Sequence, residues 1–298
     1  MTINKKEFEK TFLSVVMSTY NDEKYIKASI DSILSQTHPY FEFIIINDGS
    51  TDRTRQIVES YDDERIVLIN KENTGLIDSL NLGVKTAKYD WIARMDGDDI
   101  AEPTRFEEEV RCIKDGVAFI STQSSIIDEN NNRVGHTSYP KMDFVRYLYF
   151  KFDVMLPVIH SSVIFNKKIF YEVGGYDPFM LIAEDRDLWL KMLSKGRHVL
   201  VDKPLLKYRR HSGSISIQKK SISMHNALIG FIKFRYSKST LLTSKEYDSV
   251  SAVIKHSHIC RYVINGYRNR IEYVFQVFLK NIFVLFDFEL KRVFHSIK

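Results

Sequence analysis

A chain of 298 residues with 44% apolar and 27% charged side chains carries enough apolar material for one large domain, or one domain with an appendage, and is not composed like a disordered polymer. Its formal charge of +5 favours anionic partners such as nucleotides, phosphorylated lipids or an acidic membrane surface, and does not by itself point to nucleic acid. Cys112 and Cys260 are the only cysteines, too few and too far apart to imply a disulfide framework or a Cys-based zinc site.

Taken in chain order, the polar N-terminus (Asn4, Lys5, Lys6, Glu7, Glu9, Lys10) has no apolar signal region. The run 12–17, rich in β-branched residues, then predicts a buried parallel strand. It ends at Ser18–Asp22, where Asn21 or Asp22 can cap a helix carrying Ile26, Ile30, Ile33 and Leu34 at helical spacing. His38 and Pro39 stop that helix, and 41–46 reads as a second strand leading into the turn Asn47–Asp52. A third strand over 65–70, a loop at Asn73–Gly75, a helix over 76–87 and a fourth strand over 91–95 complete the first third. Strands alternating with helices of this length predict βαβ units and a parallel sheet. Right-handed crossovers then open the loops at Thr19–Asp22, Asn47–Ser50 and Asp96–Asp99 on one sheet edge. No G-x-G-x-x-G follows the first strand, which argues against a nicotinamide or flavin dehydrogenase.

After Gly116 the pattern changes. Segments 117–121 and 126–127 flank polar turns, Asp128–Arg133 reads as a hairpin tip, and 158–165 as a strand carrying His160, Ser161 and Ser162. A loop at Gly174–Pro178 leads to a helix opened by Glu184, Asp185 and Asp187, acidic residues favoured there by the helix dipole. Short strands at 199–201 and 205–208 end in Arg209, Arg210 and His211. From about Ile215 the composition predicts helices, clearest at 226–236 and 271–298. In the last of these a narrow polar stripe leaves a wide apolar face, suited either to packing on protein or to lying in a membrane interface. No run approaches the roughly eighteen uncharged apolar residues of a spanning helix, so cytoplasmic residence is expected, with peripheral contact at the inner face of the membrane left open.

The stretch Arg94-Met95-Asp96-Gly97-Asp98-Asp99 sets carboxylates on a tight loop at a strand's carboxyl end, ahead of Pro103, which can start a helix. Carboxylates this close repel one another unless a cation or several donors sit among them. An oxygen-seeking divalent ion bridging to phosphate accounts for such a cluster, as does a plain solvated turn.

Four blocks in order, 14–37 (SVVMSTYNDEKYIKASIDSILSQT), 45–54 (IINDGSTDRT), 73–99 (NTGLIDSLNLGVKTAKYDWIARMDGDD) and 184–190 (EDRDLWL), resemble glycosyltransferase family 2, with similarity over about 12–211. The resemblance implies an α/β GT-A fold, Rossmann-like and mostly parallel, over 12–214: a nucleotide-binding half (12–99), an acceptor-binding half (100–214), and a helical C-terminal extension (215–298). It implies an inverting transfer of a sugar from a nucleoside-diphosphate sugar to a hydroxyl of a saccharide or lipid-linked saccharide, in bacterial surface polysaccharide synthesis. By that resemblance Thr19, Tyr20, Asn21, Asp48, Asn73 and Asp96 line the donor nucleotide pocket, Asp48 accepting the uracil ring N–H; UDP is favoured, although dTDP offers the same group. Asp96 and Asp98 match a DxD element holding Mn²⁺ or Mg²⁺, with Asp99 unranked beside them, and His211 resembles a late metal or phosphate contact. Arg209 and Arg210 could meet the diphosphate, or one of them be a surface charge. Asp185 is the implied catalytic base with Glu184 supporting it, and Trp189 either floors the acceptor sugar or belongs to the core. The rival readings are a catalytically silent binding module and a sugar nucleotidyltransferase, the latter wanting a Gly-rich phosphate loop where Ser18–Asn21 stand.

Overall fold

The structure, a computed structural model, describes residues 10–139, 158–180 and 183–214. The helices expected over 226–236 and 271–298, and with them the choice between membrane and protein contact, lie outside the described residues. Among those described, no helix is long and apolar enough to cross a membrane.

The first part of the chain alternates as its pattern predicts: β1 (Leu13–Thr19), α1 (Ile26–Leu34), β2 (Phe41–Asp48), α2 (Thr54–Glu59), β3 (Ile66–Lys71), α3 (Leu76–Thr86) and β4 (Trp91–Asp96). Then follow β5 (Ile100–Ala101), α4 (Arg105–Val110), β6 (Val117–Ile127), β7 (Arg133–His136), a 3₁₀ turn at His160–Ser162, β8 (Val163–Asn166), α5 (Lys167–Glu172), α6 (Glu184–Leu193) and β9 (Arg197–Arg209). The strands form one sheet in the order β3-β2-β1-β4-β8-β6-β9-β5, with β7 on β6. β3, β2, β1 and β4 are parallel, whereas β8 runs antiparallel between β4 and β6. Side chains of alternate residues on the inner strands feed two cores. Val15, Met17, Phe43 and Ile45 meet α1, α2 and α4 on one face; Val16, Ile44 and Ile46 meet α3 and α6 on the other.

Several local readings differ from the sequence pattern. The polar residues between 121 and 126 do not turn; β6 is continuous, and several of its polar groups find partners inside the sheet. Ser121 Oγ pairs with His198 Nε2 at 2.8 Å, Gln123 Nε2 donates to Asp202 Oδ1 at 3.2 Å, and Thr137 Oγ1 takes the Ser124 amide at 2.7 Å. The two short strands at 199–201 and 205–208 are one strand, β9, whose register slips against Thr122–Ser124 so that Pro204 is accommodated. The strand expected over 158–165 begins only at Val163, after the 3₁₀ turn. Neither Asn21 nor Asp22 caps α1 by its side chain; the helix starts at Ile26, and the two side chains serve the rim instead.

One buried pair supports the end of β4 from below. Arg105 and Glu109 are fully buried and bonded at 3.1 Å, and Arg105 Nη2 also donates to the Arg94 carbonyl at 3.1 Å. Burial pushes the Glu109 carboxyl up to about 7 against the pull of Arg105. Glu109→Ala, which strands a buried guanidinium, is expected to cost about 3–5 kcal/mol of stability, read as a lowered denaturation midpoint.

Candidate active site

In the parallel register Ser18 lies beside Asp96 and Thr19 beside Asn47, so the ends of β1, β2 and β4 share one edge. Side chains then lace the loops together. Asn21, at φ 57°, donates its amide to Ser50 Oγ at 3.1 Å and accepts the Thr51 amide on Oδ1 at 2.8 Å. Asp22 Oδ2 accepts Thr19 Oγ1 at 2.7 Å and the Tyr20 amide at 3.3 Å. Asp22 rests against Gly97: a Cβ at that glycine would stand 2.6 Å from Asp22 Oδ2. Burial, reinforced by the charges of Asp98 and Asp96, pushes the Asp22 carboxyl up to about 6. Gly49, at φ 73°, admits the Asn73 amide nitrogen 2.7 Å from where its Cβ would be, which brings the 72–75 loop onto the end of β2.

On the nucleotide side, Asp48 is buried at the bottom of this junction. Its Oδ1 accepts from Lys71 Nζ and the Thr74 amide, and its Oδ2 accepts the Gly75 amide at 2.9 Å. Burial alone would raise its pKa; Lys71 and the two amides outweigh it and hold the carboxyl below its usual range. The Tyr20 ring stands out at 48% exposure and Asn73 is exposed beside it, while Thr19 is buried with its hydroxyl spent on Asp22.

The members of the DGDD run have separate environments. Asp96 Oδ1 is gripped by Arg94, a guanidinium 1% exposed within an otherwise apolar strand. Asp99 turns inward: Ser161 Oγ donates to its Oδ2 and the Arg209 amide to its Oδ1 at 2.8 Å, which makes it part of the scaffold. Asp98 faces His211, Oδ2 to Nε2 at 3.0 Å, and the His211 ring leans on Tyr25 at 5.0 Å. Carboxylate oxygens with one imidazole nitrogen suit Mn²⁺ or Mg²⁺. Among the described residues no three His, Cys, Asp or Glu side chains are grouped to hold an ion; Asp98 Oδ2 and His211 Nε2 form a pair 3.0 Å apart. Arg209 is not available to a diphosphate. It is 2% exposed, its Nε bonds the Asp98 carbonyl at 2.8 Å, its Nη1 bonds the Asp128 carbonyl at 3.0 Å, and its guanidinium covers Tyr25. Arg210 is exposed and packs on Tyr208.

The acidic start of α6 joins the same rim. Burial raises the Asp185 carboxyl and the charge of Asp96 raises it further, against the Arg186 amide bonded at 2.7 Å; Asp185 and Asp96 thus share one electrostatic neighbourhood. Glu184 is pushed up to about 8 by burial and then by Asp185. Trp189 does not floor a sugar site: it is 0% exposed, stacked on Phe119 at 4.9 Å and tilted against Phe165 at 5.8 Å, so its place on the inner face of α6 makes it core.

Asp22, Tyr25, Lys71, Arg94 and Ser161 contact these residues, and the sequence reading assigns none of them a part in the site. A charge inside an apolar strand was the one available signal, at Arg94, since a buried guanidinium requires partners. The others are visible only once distant segments meet.

Residues 14–174 match the profile of Glycosyl transferase family 2. The chain is 30% identical over 256 residues to the O-antigen biosynthesis glycosyltransferase WbnJ of Escherichia coli, covering 82% of this chain and 97% of that protein. Among solved structures it resembles S. aureus TarS 1-349 in complex with UDP-GlcNAc (TM-score 0.60, 20% identity, 82% of this chain and 71% of that one). It also resembles the mannosyltransferase PcManGT of Pyrobaculum calidifontis in complex with GDP-Man and Mn²⁺ (TM-score 0.57, 16% identity, 85% and 72%). The sheet with its flanking helices is the GT-A fold, and the chain belongs to glycosyltransferase family 2.

Proposed function

We propose that this glycosyltransferase moves a sugar from a nucleoside-diphosphate sugar, UDP favoured, to a saccharide hydroxyl with inversion at the anomeric carbon, in the assembly of a bacterial surface polysaccharide. The observation that carries the reading is the arrangement of three chemically distinct acidic groups: Asp48 beside Lys71 and Asp98 beside His211 at the strand ends, and the acidic start of α6 joined to the DGDD loop through the His160–Ser161 turn. The O-antigen role of the E. coli relative supports the pathway, and the UDP-GlcNAc and GDP-Man complexes of the two structural neighbours support the donor class.

In this reading residues 12–99 form the donor half and 100–214 the acceptor half. A carboxylate presents an acceptor, the complement of an imide ring N–H; cytosine, with an unprotonated ring nitrogen at that position, presents no such donor. Uracil and thymine therefore fit Asp48, whose carboxylate Lys71 and the 74–75 amides hold ionised, and Tyr20 offers an exposed ring for stacking. Asp98 and His211, with Asp96 behind them, would hold Mn²⁺ or Mg²⁺, whose charge would offset that of the donor's diphosphate. Asp185 accepts the proton of the acceptor hydroxyl as that oxygen bonds to the anomeric carbon. The bond from that carbon to the diphosphate oxygen breaks on the opposite face, and its electron pair leaves with the nucleoside diphosphate. One displacement inverts the centre without a covalent glycosyl-enzyme.

Thermal stabilisation tests the donor assignment. UDP at a hundredfold excess over its Kd, with Mn²⁺, is expected to raise Tm by roughly 5–10 °C, and CDP to raise it far less. Equal shifts with CDP and UDP would remove the base assignment; no shift with any nucleoside diphosphate would remove the donor site.

A further inference from the structure

The 3₁₀ turn that leads into β8 touches the DGDD loop on one side and faces the acidic start of α6 on the other. Ser161 Oγ donates to Asp99 Oδ2, inside the DGDD loop. Its neighbour His160 faces the other way. Nε2 pairs with Tyr176 Oη at 2.7 Å, and Nδ1 lies 3.9 Å from Glu184 Oε1, next to the proposed base. The imidazole is enclosed edge-on by Tyr176 at 5.6 Å and by Trp189 at 5.9 Å, so the ring cannot swing away without opening the core. Tyr176 is fixed in turn, its carbonyl and amide both bonded to the Asn81 side chain at 3.0 and 3.2 Å.

These contacts set the His160 ring between a hydroxyl and a carboxyl. Burial and the nearby Arg94 charge hold His160 well below its usual pKa, so it is neutral and carries one ring proton. A tyrosine hydroxyl at pH 7 has a proton to give, and a carboxyl has oxygens to receive one. In the arrangement assigned to it, Tyr176 Oη–H donates to Nε2 and Nδ1–H faces Glu184 Oε1. The last gap is longer than a hydrogen bond, as is common for catalytic contacts without substrate.

We propose that His160 is a positioning residue for the catalytic base: held by Tyr176, it presents a donor to Glu184 and thereby sets the carboxyl pair at the start of α6 against the donor loop that Ser161 grips. This rests on Asp185 being the base and adds a residue that touches neither donor nor acceptor. Its signature is a loss in turnover without a loss in nucleotide affinity, because His160 lies against Glu184 and bonds none of the base-pocket residues named above.

The test compares wild type, His160→Ala, His160→Asn and Tyr176→Phe. Turnover is measured as UDP release from whichever of UDP-glucose, UDP-galactose and their N-acetyl forms the wild type uses best, and binding with UDP and Mn²⁺. His160→Ala should lower kcat roughly 10- to 100-fold, the cost of a reacting group misplaced by up to about 1 Å, with UDP affinity within about twofold of wild type. His160→Asn, which keeps a donor near the Nδ1 position, should recover part of that loss. Tyr176→Phe, which removes one oxygen and nothing else, should show a smaller loss of the same kind and decides the matter if His160→Ala does not fold. Wild-type kcat in His160→Ala and Tyr176→Phe, or UDP affinity falling in step with kcat, would overturn the proposal. Absence of turnover with every donor in the wild type would end the functional reading and this inference with it.

Discussion

Asp185→Asn is expected to lower kcat by about 10²–10⁴-fold, the range for removing a general base, while the affinity for UDP with Mn²⁺ stays within about twofold. The substitution keeps the side chain's shape and an oxygen for the Arg186 amide, so the first turn of α6 has no reason to move. What it removes is basicity. Burial and the Asp96 charge raise the Asp185 carboxyl, which makes it a better proton acceptor than an exposed aspartate. Asp48 and Lys71, which would meet the base, make none of their bonds to α6, so nucleotide binding should not register the change. Single-turnover transfer and UDP titration on the same preparation check this. Parallel loss of both would mean that Asp185 shapes the donor site instead of accepting the acceptor's proton.

Asp98→Asn should lower kcat by about 10²–10³-fold, the usual cost of removing one electrostatic contact to a charge that develops in the transition state. Chelation of divalent ions from the wild type should do at least as much. The backbone of the loop is anchored independently of this side chain, through Arg209 Nε on the Asp98 carbonyl and through the bonds to the Asp99 carboxylate, so the variant should keep its fold and Tm. It should also lose the added stabilisation that Mn²⁺ gives to UDP. Asp99→Asn is the contrasting control: its carboxylate is committed to Ser161 and the Arg209 amide, so its loss should appear in stability first. A wild-type manganese response in Asp98→Asn would remove Asp98 and His211 as the ion's holders.

Local pattern carried the parallel half of the fold. The β-branched runs, the helical spacing of Ile26, Ile30 and Ile33, and the Asp-bearing loops after three strands made β1 to β4 and their shared edge readable, because burial on both faces of a parallel strand leaves a continuous apolar run. The second half was read less well for a reason that recurs in β6 and β9. Their polar residues look like turns in sequence, but Ser121, Gln123 and the Ser124 amide pair with His198, Asp202 and Thr137, partners that arrive only when the sheet closes.

By itself, then, the sequence determined which residue types stand at the strand ends, and with them the family and the class of chemistry. The tertiary structure decided what each is free to do. Asp98 turns its carboxylate to His211 while Asp99, next to it, gives its own to the scaffold; Trp189 goes to the core and Arg209 to the loop carbonyls. The physical reason is that commitment depends on burial and on donors from segments far apart in the chain: Ser161 and Arg209 reach Asp99 across separations of 62 and 110 residues, beyond any local pattern.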